Sequence, residues 1–337
     1  MKNQNHLRPM KVVVAPGSIA SKSYHAIAGL PGSTKKSEQP MRKDRVEGIN
    51  ATPKENLIYR GGKTIRSLTY TNFYIGGKNA WDENDIKNID WALEQAMKDR
   101  NLNHVMRQYF DNKVIRTTFK PSQILDGSKP KKFTQDDAIA LVKSLYEKDT
   151  LKGFRYTNTV INFMLPKGTV LTDDKSSTEI EKNKLRKTPM EIEEESSSLE
   201  GLGGYHGSVH VTDTATVYYA VGVYSYTMSN GNDNGIVAFD KPWKNIVATF
   251  YHELCEARTD ADVDDAIEHN DIKYCGWISK SGAECGDYPM EEVGGNLGLI
   301  MQEVPLTNGE GTVPVQFQYS NAVDGPEGPI KKLHLLS

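Results

Sequence analysis

The run Asn245 to Arg258 constrains this chain more than any other stretch. Apolar Ile246, Val247, Phe250, Leu254 and Ala257 recur in it at helical spacing. Pro242 and Trp243 open the predicted helix, and Asp240 is its expected cap. The same run carries His252-Glu253-Leu254-Cys255-Glu256. His252 and Glu256 are four residues apart, so on a helix they leave one face, one turn apart. This is the spacing of the zinc-peptidase motif His-Glu-x-x-His, with Glu256 in place of the second histidine. Imidazole nitrogen and carboxylate oxygen both ligate zinc, at about 2.0–2.2 Å. Glu253 is then placed to take a proton from water as a general base. One helix cannot complete a four-coordinate site. The glycine-rich turn Gly282 to Asp287 follows closely and offers two more carboxylates, Glu284 and Asp287.

At 337 residues the chain is long enough for one large domain or two ordinary ones. A net charge of -3 gives no global basic field, so neither nucleic acid nor an anionic membrane is an expected partner. No apolar run approaches the roughly 18 residues that mark a membrane span. The polar start, Met1 to His6, is unlike a secretory signal. These features predict a cytoplasmic protein, or one exported without a cleavable signal peptide. The three cysteines, Cys255, Cys275 and Cys285, argue against a disulfide framework, although Cys275 and Cys285 are close enough in sequence to pair.

Residues 1–54 are rich in Gly, Ser, Pro, Lys and Asn without periodicity, and read as a flexible leader. Residues 55–337 read as a single domain, with a charged, Ser-rich insertion at about 173–200. Within the domain, strands are predicted over Ser67 to Ile75, Val114 to Phe119, Thr157 to Leu165, Ser208 to Val211 and Thr216 to Ser225. Asp82 and Thr134 are expected to cap two further helices. Thr157 to Leu165 is the expected central strand. His206 falls on the glycine-rich turn ahead of Ser208, where a histidine is more often structural than catalytic.

Several stretches resemble the phosphate-induced, EXORDIUM-like family. They are Tyr59 to Gly62, Phe73 to Gly77 with Trp81, Gly204-Tyr205-His206, Tyr219 to Val221, His252 to Ala257 with Thr259-Asp260, Trp277, Gly282 to Asp287, and Gln318 to Asn321. The resemblance covers about residues 57 to 337. It implies a zincin-like fold with metal ligands from helix and loop, and it raises His206 as an oxyanion stabiliser or proton donor. Two positions depart from the family's pattern: Ala261 stands where proline is usual, and Cys285 where isoleucine is usual. Asp260 lies eight residues after His252, roughly 12 Å along a continuous helix. It is therefore expected to orient a ligand rather than to join the set.

The expected fold is α/β of the α+β type: a zincin-like mixed sheet flanked by helices, with the His252 helix under a cleft. The leading functional expectation is a zinc-dependent hydrolase of peptide or amide bonds, acting on a peptide or small-molecule substrate. In it His252 and Glu256 are ligands, Glu284 or Asp287 completes the set, and Glu253 and His206 are catalytic. The alternative is a non-catalytic binding or signalling protein with a structural metal, zinc or calcium. A carboxylate-rich set with one histidine is hard enough for calcium. A third reading holds no metal and leaves the carboxylates as caps and turn formers.

Overall fold

The computed structural model describes residues 12–14, 45–173, 197–269, 271–293 and 295–329, with the backbone alone at 12–14, 264, 267 and 268. Most of the expected leader and of the charged insertion lies outside these residues.

The core is a six-stranded mixed sheet. Its strands are β1 (Val12–Val14), β2 (Ser67–Tyr74), β3 (Arg116–Ile124), β4 (Thr159–Met164), β5 (Leu202–Thr212) and β6 (Ala215–Gly222). In space they run β1-β5-β6-β4-β2-β3. The pairs β2–β3, β2–β4 and β4–β6 are parallel, while β5 turns back antiparallel to β6 and β1 pairs antiparallel to β5. The mixed sheet with flanking helices is the α+β arrangement that the sequence predicts. All six residues of β4 are buried, as a strand covered on both faces requires.

Alternation along the strands splits the core into two layers. Leu68, Tyr70, Tyr74, Val160 and Met164 face one side, with helices α1 (Glu83–Lys98) and α3 (Pro242–Thr259). Phe73, Ile161, Phe163, Tyr205 and Tyr219 face the other, under helix α2 (Gln135–Glu147). The caps of α1 and α2 are as expected. Asp82 accepts from the amides of Asn84 and Asp85, and Thr134 forms a reciprocal capping box with Asp137.

Helix α3 starts at Pro242, as predicted, but its cap differs. Lys241 takes the cap position without a side-chain bond, and Asp240 Oδ1 instead accepts from Lys244 Nζ at 2.7 Å. The approach to the helix is held by Asn245, whose Oδ1 accepts the amides of Ala238 and Phe239, each at 2.9 Å. From Asn245 to Thr259 every residue is buried, so α3 is a core helix rather than an amphipathic surface one. Its C-terminal end is anchored by Arg258. This buried guanidinium donates to the carbonyls of Ile65, Arg66 and Arg116 and to Thr117 Oγ1.

Strand β5 begins at Leu202, not Ser208, so His206 lies within a strand and not on a turn. The glycines that suggested a turn serve close packing instead. A Cβ on Gly204 would come within 2.6 Å of the Val221 carbonyl, and one on Gly207 within 2.8 Å of the Tyr219 hydroxyl. A short helix, α4 (Val263–His269), follows α3, and another, α5 (Asp287–Glu292), follows the acidic turn. The hairpin of β7 (Met301–Pro305) and β8 (Thr312–Gln316) then closes over α3. Among the described residues no helix is long and apolar enough to cross a membrane.

Candidate metal centre

Three chain segments converge on the buried face of α3. His252, Glu253 and Glu256 come from the helix itself, His206 from β5, and Glu284 and Asp287 from the turn into α5. All six are buried. His252 Nε2 stands 3.0 Å from Glu256 Oε2 and 3.9 Å from Asp287 Oδ1. His206 Nδ1 stands 3.5 Å from Glu253 Oε2 and 3.8 Å from Glu256 Oε2. Glu284 Oε1 lies 3.7 Å from His206 Nε2. Two three-residue groups therefore have ligand atoms within 4.8 Å of one another: His252, Glu256 and Asp287, and His206, Glu253 and Glu256. Glu256 belongs to both.

Supporting bonds fix several of these groups. His252 Nδ1 donates to Gln316 Oε1 at 3.0 Å, and the Gln316 amide nitrogen donates in turn to the Gly286 carbonyl. That arrangement puts a proton on Nδ1 and turns Nε2 toward the carboxylates. Glu256 Oε1 accepts the Gly286 amide at 3.0 Å, which ties the acidic turn to the helix. Asp287 Oδ2 accepts the Glu284 amide at 3.1 Å and holds that turn closed. Asp260 borders the centre through two hydrogen bonds. Its carbonyl accepts from His206 Nε2 at 3.0 Å, and its carboxylate accepts the Gly276 amide at 2.9 Å.

Glu253 Oε1 and Oε2, Glu256 Oε2 and His252 Nε2 have no hydrogen-bond partner among the described residues. Native interiors rarely leave such groups unsatisfied, and each costs about 1–3 kcal/mol, more when charged. The contact between Nε2 and Glu256 Oε2 is close without being aligned as a hydrogen bond. Two electron-rich atoms that face each other inside a protein need a cation between them, either a proton or a metal ion. The donor set of imidazole nitrogen and carboxylate oxygen suits a divalent metal. These orphaned atoms are the observation by which the residues fit such an ion.

Without an ion, the crowding of these groups shows in their proton affinities. Burial, reinforced by Glu256 and Asp287, holds the Glu253 carboxyl well above the usual carboxylate range. Burial also opposes ionisation of Glu256, yet His252 outweighs it and keeps that carboxyl below its usual range. Burial disfavours a charged His252, but Glu256 beside it raises the imidazole above its ordinary value. All three cysteines are buried, Cys275 and Cys285 do not pair, and burial pushes the Cys255 thiol up to about 12.

The sequence motifs therefore name side chains that do come together, with two refinements. Of the two carboxylates on the turn, Asp287 joins His252 and Glu256, while Glu284 sits against His206. His206 itself stands among carboxylates, in a position open to metal ligation as well as to substrate. Sequence reading missed Gln316, which has no motif around it. A separate, more exposed group joins His210, Asp262 and Asp265, with His210 Nε2 3.1 Å from Asp262 Oδ1. Ser208 Oγ also donates to Asp262 Oδ1, so hydrogen bonds from two side chains account for that carboxylate oxygen.

No family model matches the chain, and no curated protein does. A crystal structure of metalloproteinase-II from Bacteroides fragilis is similar over 54% of this chain, at 11% identity and a TM-score of 0.26. The similarity spans 42% of that protein's chain, less than half its length, and a likeness this slight carries no argument about fold or activity.

Proposed function

We propose that this chain is a zinc-dependent hydrolase of peptide or amide bonds. The observation that carries the reading is the set of buried, unsatisfied atoms on α3: His252 Nε2, Glu256 Oε2 and both oxygens of Glu253. His252, Glu256 and Asp287 are the residues that would hold the ion. Zinc, when bound, supplies Lewis acidity and lowers the pKa of water. Glu253 is the base. Its carboxyl is buried beside the ligand group without a hydrogen-bond partner, and its raised proton affinity suits a group that takes a proton from water and returns it to a leaving amine. His206, whose Nε2 donates to the Asp260 carbonyl, donates from Nδ1 to the substrate oxygen as an imidazolium, or adds a further ligand through Nδ1 as a neutral ring. Gln316 fixes the His252 tautomer.

A second reading, a structural metal in a non-catalytic binding protein, is favoured by one observation: every side chain of the centre is buried. A structural site is closed, whereas a catalytic one keeps a position for substrate. Calcium is the alternative ion in that case, given the excess of carboxylate oxygen.

One paired experiment separates the readings. Metal content is measured on protein purified without added metal, and cleavage of a mixed peptide pool is followed for wild type and Glu253→Gln. The hydrolase reading expects stoichiometric zinc in both proteins and turnover lower in the variant by about 10²–10⁴-fold. Stoichiometric metal with no cleavage by wild type, at any metal loading, supports the structural-metal reading. Absence of tightly bound metal rejects both.

A further inference from the structure

The antiparallel edge of the sheet borders the metal centre directly. In β5, Gly204 backs onto the general base: a Cβ built on it would lie 3.0 Å from Glu253 Oε1. The residue two positions on is His206. A sheet edge at such a place presents a row of backbone amides and carbonyls, which an extended polypeptide satisfies by adding a strand. In this chain the added strand comes from its own N-terminal region. β1 pairs antiparallel with β5, with Val12 opposite Tyr205, Val13 opposite Gly204 and Val14 opposite Leu202. β1 also packs against α5, the helix that begins at Asp287. β1 therefore runs between the edge strand on one side and the acidic-turn helix on the other. Val13 is the residue level with the site, across from Gly204.

We infer that Val12–Val14 occupies in cis the position that an extended peptide takes beside Glu253, so that β1 holds this edge closed until it is displaced. The substrate half of this inference rests on the hydrolase reading; the docking half does not. Valine suits the role, because β-branched residues favour the extended backbone and the pairing asks only for main-chain groups. The burial of the centre, which alone favours a closed structural site, is what an occupied peptide edge also produces.

The test uses the full chain with Val12, Val13 and Val14 all replaced by proline, which removes three amides and disfavours pairing. Hydrogen exchange is followed at the backbone of Leu202–Tyr205, with β6 as the internal control. A labelled synthetic peptide of residues 8–18 is titrated against wild type and variant. Exchange over Leu202–Tyr205 should quicken on the order of tenfold or more in the variant, with β6 unchanged. The peptide should bind the variant at least about tenfold more tightly than wild type, since a tethered competitor acts at an effective concentration near millimolar. Should the triple replacement fail to fold, Val13→Pro alone gives the same readouts. Unchanged exchange, equal peptide binding to both chains, or binding to neither overturns the inference. These measurements need neither metal nor turnover, so a failed peptidase test leaves them standing, and their failure leaves the metal centre standing. Where wild type does cleave peptides, a variant that turns over no faster overturns the inhibitory half.

Discussion

His252 Nδ1 stands 3.0 Å from Gln316 Oε1, joining α3 to a strand 64 residues further along the chain. The Gln316 amide cannot turn over without losing its second bond, the one to the Gly286 carbonyl. The imidazole is thus held with Nδ1 protonated and Nε2 toward the carboxylates. Gln316→Leu keeps the shape and removes both bonds. Metal affinity should fall about 10–100-fold, the usual effect of losing a ligand's hydrogen-bond partner. Titration with zinc against a competing chelator measures it, and an unchanged affinity would place the ion elsewhere.

Gly286 is required by close approach, not by its backbone angles, since its φ of -97 is open to any residue. A methyl group there would lie 2.3 Å from His252 Nδ1 and 2.5 Å from Cε1. Gly286→Ala must therefore push the turn or the ring away, at a cost of about 1–3 kcal/mol. Metal binding should be lost with it. Gly298→Ala is the control: a Cβ there meets nothing nearer than 3.7 Å, so a change within about 0.5 kcal/mol is expected. Urea midpoints for the two variants decide the matter.

How much of this was legible in the sequence follows from distance along the chain. The His252 helix is local: its apolar spacing and its His-Glu-x-x-Glu spacing lie within one run, and both hold in the fold. The central position of β4 was legible because an unbroken β-rich run fits a strand covered on both faces. The acidic turn could be named as a ligand source from its carboxylates, but which of Glu284 and Asp287 approaches His252 depends on how the Glu284 amide folds back onto Asp287. The place of His206 was misread because Gly203, Gly204 and Gly207 look like a turn, while their reason is contact with neighbours such as Val221 and Tyr219. Gln316 was invisible, since a glutamine in a hairpin carries no local mark of the histidine it will meet. The cap of α3 went wrong because Asp240 found a nearer cation in Lys244.

Arg258 should act on stability rather than on chemistry. Its guanidinium is buried and donates to three carbonyls and to Thr117 Oγ1, tying the end of α3 to the strands before and after α1. Arg258→Ala leaves those acceptors without donors and opens a cavity, for an expected loss on the order of 3–5 kcal/mol. Lysine, with no planar fork, should rescue only part of it. Thermal denaturation of the metal-free proteins gives the comparison. A loss under about 1 kcal/mol would mean that the helix end is held by other contacts.

Glu253 should destabilise the metal-free protein, and the effect should grow with pH. Its carboxyl is buried, and its folded proton affinity lies well above the unfolded value of 4.5, chiefly through burial and then through Glu256 and Asp287. A carboxyl whose folded pKa is raised favours the folded state below the unfolded pKa, and that contribution is lost as pH rises toward and through the folded value. Glutamine resembles the protonated acid at every pH. Below about pH 4.5 the metal-free wild type and Glu253→Gln should therefore melt close together. Above it the variant should become progressively more stable, by about 0.5–2 kcal/mol at neutral pH, as when a strained functional group is relieved. The His252–Glu256 pair is common to both proteins, so its own pH dependence cancels to first order in the difference. Zinc should reverse the order if the carboxylate of Glu253 helps to hold the ion, and only narrow it if Glu253 acts on water alone. Melting curves of both proteins from pH 4 to 8, with chelator and with zinc, carry the test. A variant no more stable than wild type at pH 8 without metal would show that the Glu253 carboxylate is better satisfied than its surroundings allow.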